Sequence, residues 1–168
     1  MRKVKQLTAE SFKPFGTFGA LTPPTDTPLV DAGVIKFWPD CGGVLSLGPF
    51  GNNEVAIGVC QVTWRNPQVD VTEFHSSTGE GNIPLDGDIY IHVAPPSPGD
   101  EPPLDAFEIF RVPQGTCVVL KPGVWHHAPF STKPGAVVNT VILLPQRTYA
   151  NDCEVAELDA DEVVTFEA

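Results

Sequence analysis

Helical periodicity and long apolar runs are missing from this 168-residue chain. No stretch approaches the roughly 20 apolar residues that a membrane-crossing helix needs, and the start, MRKVKQLTAESF, is basic without the apolar centre of a secretory signal. A cytoplasmic protein with no membrane contact is expected. Cations are scarce as well: 10 Lys and Arg stand against 21 Asp and Glu, a formal net charge of -11. A mean field of that sign repels phosphate backbones, so nucleic acid is not an expected partner. Arg2, Lys3 and Lys5 sit together at the N-terminus, and an anionic small molecule would need a local reversal of field from a metal or an inward-facing cation. The four cysteines, Cys41, Cys60, Cys117 and Cys153, are too widely and irregularly spaced for a disulfide framework or a CxxC metal ribbon. They read as reduced thiols packed as small apolar residues.

What is abundant is proline and glycine, 18 and 15 residues, clustered in TPPTDTP (22–28) and APPSPGDEPP (94–103). These are loops. Between them run short β-branched and aromatic stretches: EVAIGVCQVTW (54–64), DIYIHVA (88–94), FEIFRV (107–112), TCVVL (116–120) and AVVNTVILL (136–144). Period-two alternation, as in Val55, Ile57 and Val59, marks them as strands. LTAESFKPFG predicts one helical turn capped by Thr8 and stopped by Pro14 and Gly16. Length and pattern predict one all-β domain over residues 1–168, a barrel or jelly roll whose closure removes exposed strand edges.

Histidine is the scarcest chemistry-bearing residue: four in all, of which His126 and His127 are adjacent behind a Pro-Gly turn. Neighbouring strand residues face opposite ways, so one points inward and one does not. Glu73 and His75, two apart, share a face of an extended strand, and Glu80 can swing back from the turn that follows. Two imidazoles and two carboxylates suit a mixed nitrogen and oxygen metal site with open positions for substrate. His92 alternates with Ile91 and Val93 and reads as structural.

The two segments resemble the paired motifs of the cupins. Glu73-Phe74-His75, then Glu80 and Gly87, is similar to the first motif, and Gly115 through Pro122-Gly123-Val124-Trp125-His126 to the second, shortened by one residue between Pro and Gly. Within the cupins the chain resembles the ureidoglycolate lyase family through LTAESFKPFG, Glu73-x-His75 followed by IPLDG, GVWHHAPF (123–130), and Arg147 with Asn151-Asp152-Cys153-Glu154. It departs at Phe74, where the family usually carries arginine, and at Glu80, where it carries glutamine. The altered positions keep two rival activities open: another metal cupin enzyme, an isomerase or oxygenase on a small acid or sugar, and a non-catalytic ligand-binding cupin.

The resemblance implies a cupin-type double-stranded β-helix, a homodimer, and cleavage of ureidoglycolate to glyoxylate and urea. Its spacing assigns a divalent transition metal, nickel, zinc or manganese, to Glu73, His75, Glu80 and His126, with no organic cofactor. His75, His126, His127 and Glu80 are the expected catalytic residues, and the leaving nitrogen would take its proton from His127 or from a metal-free Glu73 or Glu80. Arg147, Lys121 and Tyr90 are expected to contact the substrate. Trp125, flanking His126, is expected on the outer face, available to a dimer interface.

Overall fold

β-branched and aromatic residues bounded by Gly and Pro extend rather than coil, and the chain folds accordingly. The structure, a computed structural model, describes residues 1–31, 34, 36–48, 54–99 and 101–168. In chain order the elements are β1 (Val4–Gln6), α1 (Ala9–Phe12), β2 (Gly16–Ala20), β3 (Val30–Asp31), β4 (Lys36–Phe37), β5 (Val55–Thr63), β6 (Gln68–Val69), β7 (Val71–Phe74), β8 (Glu80–Pro84) and β9 (Ile89–Val93). After a short 3-10 turn come β10 (Glu108–Val112), β11 (Thr116–Leu120), β12 (Phe130–Ser131), β13 (Val137–Pro145), α2 (Thr148–Asn151), β14 (Glu154–Glu157) and β15 (Val164–Thr165).

Two sheets face one another, ordered β1-β10-β9-β12 and β2-β11-β8-β13-β5. Single bridges, Ala94 to Trp125 and Glu73 to His126, carry the first sheet on toward β7 and its partner β14. This is the cupin-type barrel of the expected fold. Ile91, Val93, Phe110 and Val112 from one sheet meet Val118, Leu120, Val138 and Val62 from the other in the core between them. Each such side chain contributes about 1.5–3 kcal/mol when fully buried. The helical turn forms as its cap predicts: Thr8 Oγ1 accepts from Ser11 N at 3.1 Å. Phe12 plugs the barrel edge-on to Phe110, with ring centroids 5.1 Å apart.

A second apolar cluster lies on the outer face of the first sheet, where Val69, Phe107, Ile109, Trp125, Phe130 and Phe166 pack beneath the C-terminal segment. It corrects the expectation for Trp125. The indole does lie on the outer side of its strand, but it is 1% exposed and its Nε1 donates to Ser97 Oγ at 2.9 Å. The chain's own outer layer covers it, so it offers no interface. The opposite holds on β5, where Val55, Ile57 and Val59 share the face turned to solvent.

Candidate active site

Two segments far apart in sequence meet because they pair. Glu73 N donates to His126 O at 2.6 Å and His126 N to Glu73 O at 2.8 Å, so the two residues stand directly opposite with side chains on one face. The Pro122-Gly123 turn fixes the same junction. Gly123 takes φ +78, a conformation that disfavours side chains, and its N–H donates to His75 O at 2.7 Å. Glu80 arrives from elsewhere than expected: it is not in the turn but opens β8 in the facing sheet, and reaches across the barrel to both imidazoles.

The ring centroids of His75 and His126 are 5.1 Å apart. His75 Nδ1 lies 2.7 Å from Asp152 O and His126 Nδ1 2.8 Å from Val124 O. A carbonyl oxygen only accepts, so each Nδ1 carries a hydrogen. In the neutral rings both Nε2 lone pairs therefore point inward, at 3.3 Å and 3.4 Å from Glu80 Oε2. Glu80 Oε1 accepts from Asn82 Nδ2 at 2.9 Å. His126 Nε2 is buried without a hydrogen-bond partner, and ligand atoms of Glu73, His75 and His126 all lie within 4.8 Å of one another. Buried lone pairs aimed at a carboxylate repel it unless a proton or a cation lies between. Imidazoles anchored through the far nitrogen are the usual arrangement of metal-ligating histidines, so this donor set fits a divalent transition metal.

Without a metal the cluster holds protons instead. Burial alone would raise the Glu80 carboxyl, but His126 and His75 hold it well below the usual carboxylate range. Burial disfavours the His126 cation, yet Glu80 and the Val124 carbonyl raise that ring to about 8. Cys153 is pushed up to about 12 by burial and by Glu73, so its thiol stays protonated, with Sγ 3.5 Å from Glu73 Oε2.

The carbonyl that orients His75 is itself held. Asp152 Oδ1 accepts from Ser76 N and Oγ at 2.8 and 2.6 Å, and Oδ2 from Ser77 N and Oγ at 3.1 and 2.6 Å. The clamp binds the end of α2 to the loop after His75. Arg147, at φ +67, starts α2, and the Tyr149 ring meets His75 edge-on at 6.0 Å. Between α2 and the inward face of β5 runs a cleft of about 190 Å³ lined by Ala56, Gly58, Cys60, Arg147 and Tyr149 among others.

The family model for ureidoglycolate lyase matches residues 1–165. The chain belongs to the ureidoglycolate lyase family. Membership makes it one of a family of lyases. No curated protein matches it significantly. Among solved structures it is similar to Bacillus subtilis oxalate decarboxylase, from work on the Mn(II) centres of that protein, at 14% identity over 61% of this chain and 24% of that one, with a TM-score of 0.40. It is also similar to the vicilin of Solanum melongena, at 9% identity over 67% of this chain and 32% of that one, with a TM-score of 0.37. The chain spans about a quarter to a third of the length of these structures.

Set against the family expectation, the structure brings Glu73, His75, Glu80 and His126 together and puts Arg147 in the adjoining cleft. Three expected residues lie apart from the cluster. Lys121 Nζ donates to the carbonyls of Lys13 and Pro14 at 2.5 and 3.2 Å, and Tyr90 packs in the outer layer against Phe166 at 5.8 Å. His127 is half-buried and forms no hydrogen bond to the four; burial lowers its pKa. Phe74, where the family carries arginine, packs on Trp125 at 4.6 Å. Sequence reasoning gave no role to Asn82, Tyr149, Asp152 or Cys153. For the last two a signal existed, the run Asn151-Asp152-Cys153-Glu154 that resembles the family; for Tyr149 and Asn82 there was none.

Proposed function

We propose that this protein splits ureidoglycolate into glyoxylate and urea at the Glu73, His75, Glu80 and His126 cluster. The observation that carries the reading is the convergence of two imidazole Nε2 atoms and two buried carboxylates beside a cleft, in a chain of this family along residues 1–165. His75 and His126, with Glu80, would hold nickel, zinc or manganese, and Glu73 beside them stays free of the ion. Such an ion, when bound, lowers the pKa of the substrate hydroxyl as it does that of water.

The reaction moves one proton from the hydroxyl oxygen to the departing nitrogen as the carbon-nitrogen bond breaks and the carbonyl forms. Glu73 is the carboxylate suited to carry it. Glu80 has Oε2 between the two imidazoles and Oε1 under Asn82, whereas the thiol of Cys153, a weak donor, faces Oε2 of Glu73. Glu73 takes the proton as base and returns it as acid to the urea nitrogen. Arg147, the one charged residue lining the cleft among the described residues, draws in the substrate carboxylate against the protein's overall negative field.

The protein works as a cytoplasmic homodimer in this reading, and the outward face of Val55, Ile57 and Val59, 45%, 77% and 63% exposed, supports association through β5. Incubation with racemic ureidoglycolate tests the activity: urea and glyoxylate should appear in equal amounts with the wild type and fail to appear with His126→Ala. Wild-type protein, metal-loaded and folded, that releases neither product overturns it.

A further inference from the structure

The cleft between β5 and α2 is shaped by features that the cluster does not explain. On the inward face of β5 the residues are Ala56, Gly58 and Cys60, paired across the ladder with Leu144, Ile142 and Thr140. Small side chains here keep open a space that larger ones would fill. The cleft adjoins the cluster, because Tyr149 in its wall meets the His75 ring at 6.0 Å. Burial, and then the charges of Glu80 and Glu73, push up the thiol pKa of Cys60 in its wall. Beside Cys60, Thr140 is fully buried and its hydroxyl has no protein partner. A buried hydroxyl left unpaired is unfavourable, and a ligand amide would pair it. Tyr149 itself is 65% exposed although it is aromatic. The cleft's volume of about 190 Å³ is below the roughly 300 Å³ where drug-sized sites begin.

We propose that Tyr149 is a specificity-determining residue whose ring forms the wall against which the planar ureido group of the substrate lies, with the Thr140 hydroxyl at the inner end of that subsite. The inference rests on the reading of the substrate as a ureido acid. It divides the molecule along the cleft: carboxylate toward Arg147, reacting carbon at the cluster, ureido plane on Tyr149. Aromatic contact of this kind is worth roughly tenfold in affinity.

The test uses metal-loaded protein with its tyrosines replaced by 3-fluorotyrosine. Tyr90 and Tyr149 are the only two tyrosines, so the fluorine spectrum has two signals, assigned with Tyr149→Phe. The probe is N-carbamoylglycine, a ureido acid that lacks the hydroxyl and cannot be split. It should shift the Tyr149 signal and leave that of Tyr90, whereas N-acetylglycine, which lacks the terminal amide nitrogen, should shift it less at equal concentration. In turnover, Tyr149→Ala should raise KM for ureidoglycolate about tenfold with kcat changed less than threefold and thermal stability unchanged. An unmoved Tyr149 signal, or an unchanged KM, overturns the proposal while leaving the lyase reading intact. A shifted signal in a wild type that releases no urea supports the subsite and counts against the lyase reading instead.

Discussion

Replacing Asp152 by alanine tests how the site is held, because that side chain touches no proposed ligand and yet fastens one. Its carboxylate accepts four hydrogen bonds from Ser76 and Ser77, at 2.6 to 3.1 Å. Hydrogen bonds to a charged group contribute about 1.5–3 kcal/mol each when isolated and buried. Here they share two adjacent residues and a half-buried acceptor, so their sum is discounted to about 2–3 kcal/mol. With a urea m-value of about 2 kcal/mol/M, the denaturation midpoint should fall by about 1 M. The same loss frees the 150–153 segment, whose Asp152 carbonyl receives His75 Nδ1–H at 2.7 Å. Removing such an outer partner of a metal-ligating histidine typically costs 10- to 100-fold in affinity, to be read by calorimetric titration with zinc or nickel. Asp152→Asn should fall between, since the amide keeps one acceptor oxygen for Ser76 but turns donors toward Ser77. A midpoint shift below about 0.3 M with metal affinity unchanged would refute the clamp.

Acid and base should act on different groups. In the folded protein the Asp152 and Asp88 carboxyls lie below the usual aspartate range: at Asp152 the serine hydrogen bonds outweigh burial, and at Asp88 the Gln114 N–H leads. Their stabilisation is complete above the unfolded value and lost as pH falls through the lower folded one, so melting temperature should drop below about pH 4, less steeply in Asp152→Asn. His126, raised from 6.5 to about 8 in the metal-free protein, has the opposite sign. Its contribution is complete below pH 6.5 and fades toward pH 8, and His126→Asn should flatten that limb of the melting curve. Gly16→Ala would set a Cβ 1.8 Å from Val119 O in the β2–β11 ladder, and an overpacking cost of about 1–3 kcal/mol should appear as a lower melting temperature with metal affinity retained. Ile57→Lys, on the exposed face of β5, should convert the proposed dimer to monomer by light scattering; an unchanged mass would remove β5 from the proposed interface.

Much of the architecture was legible because strands buried on one face alternate. EVAIGVCQVTW, TCVVL and AVVNTVILL became β5, β11 and β13 within a residue at each end. The outer layer was not legible. Trp125, Tyr90 and His92 sit on the far side of their strands, where alternation predicts solvent, and the C-terminal Phe166 and Phe107 cover them. A covering segment so distant in sequence leaves no periodic trace. Glu73, His75 and His126 were readable from spacing, since a strand places residues two apart on one face and the Pro-Gly turn sets where the second segment begins. Glu80 was readable as a participant but not as a residue of the opposite sheet. Tyr149 escaped because its contact with His75 depends on where α2 docks, which no local pattern encodes, and the run at 151–154 marked Asp152 without showing that it clamps the loop after His75.

Simultaneous measurement of urea and glyoxylate from racemic ureidoglycolate decides whether this one buried cluster performs the cleavage. Metal-loaded protein should release both products in a one-to-one ratio, with a loss of at least 1,000-fold in His126→Ala and Glu80→Leu and folding confirmed by circular dichroism. Equal rates in wild type and in the folded His126→Ala protein would contradict it.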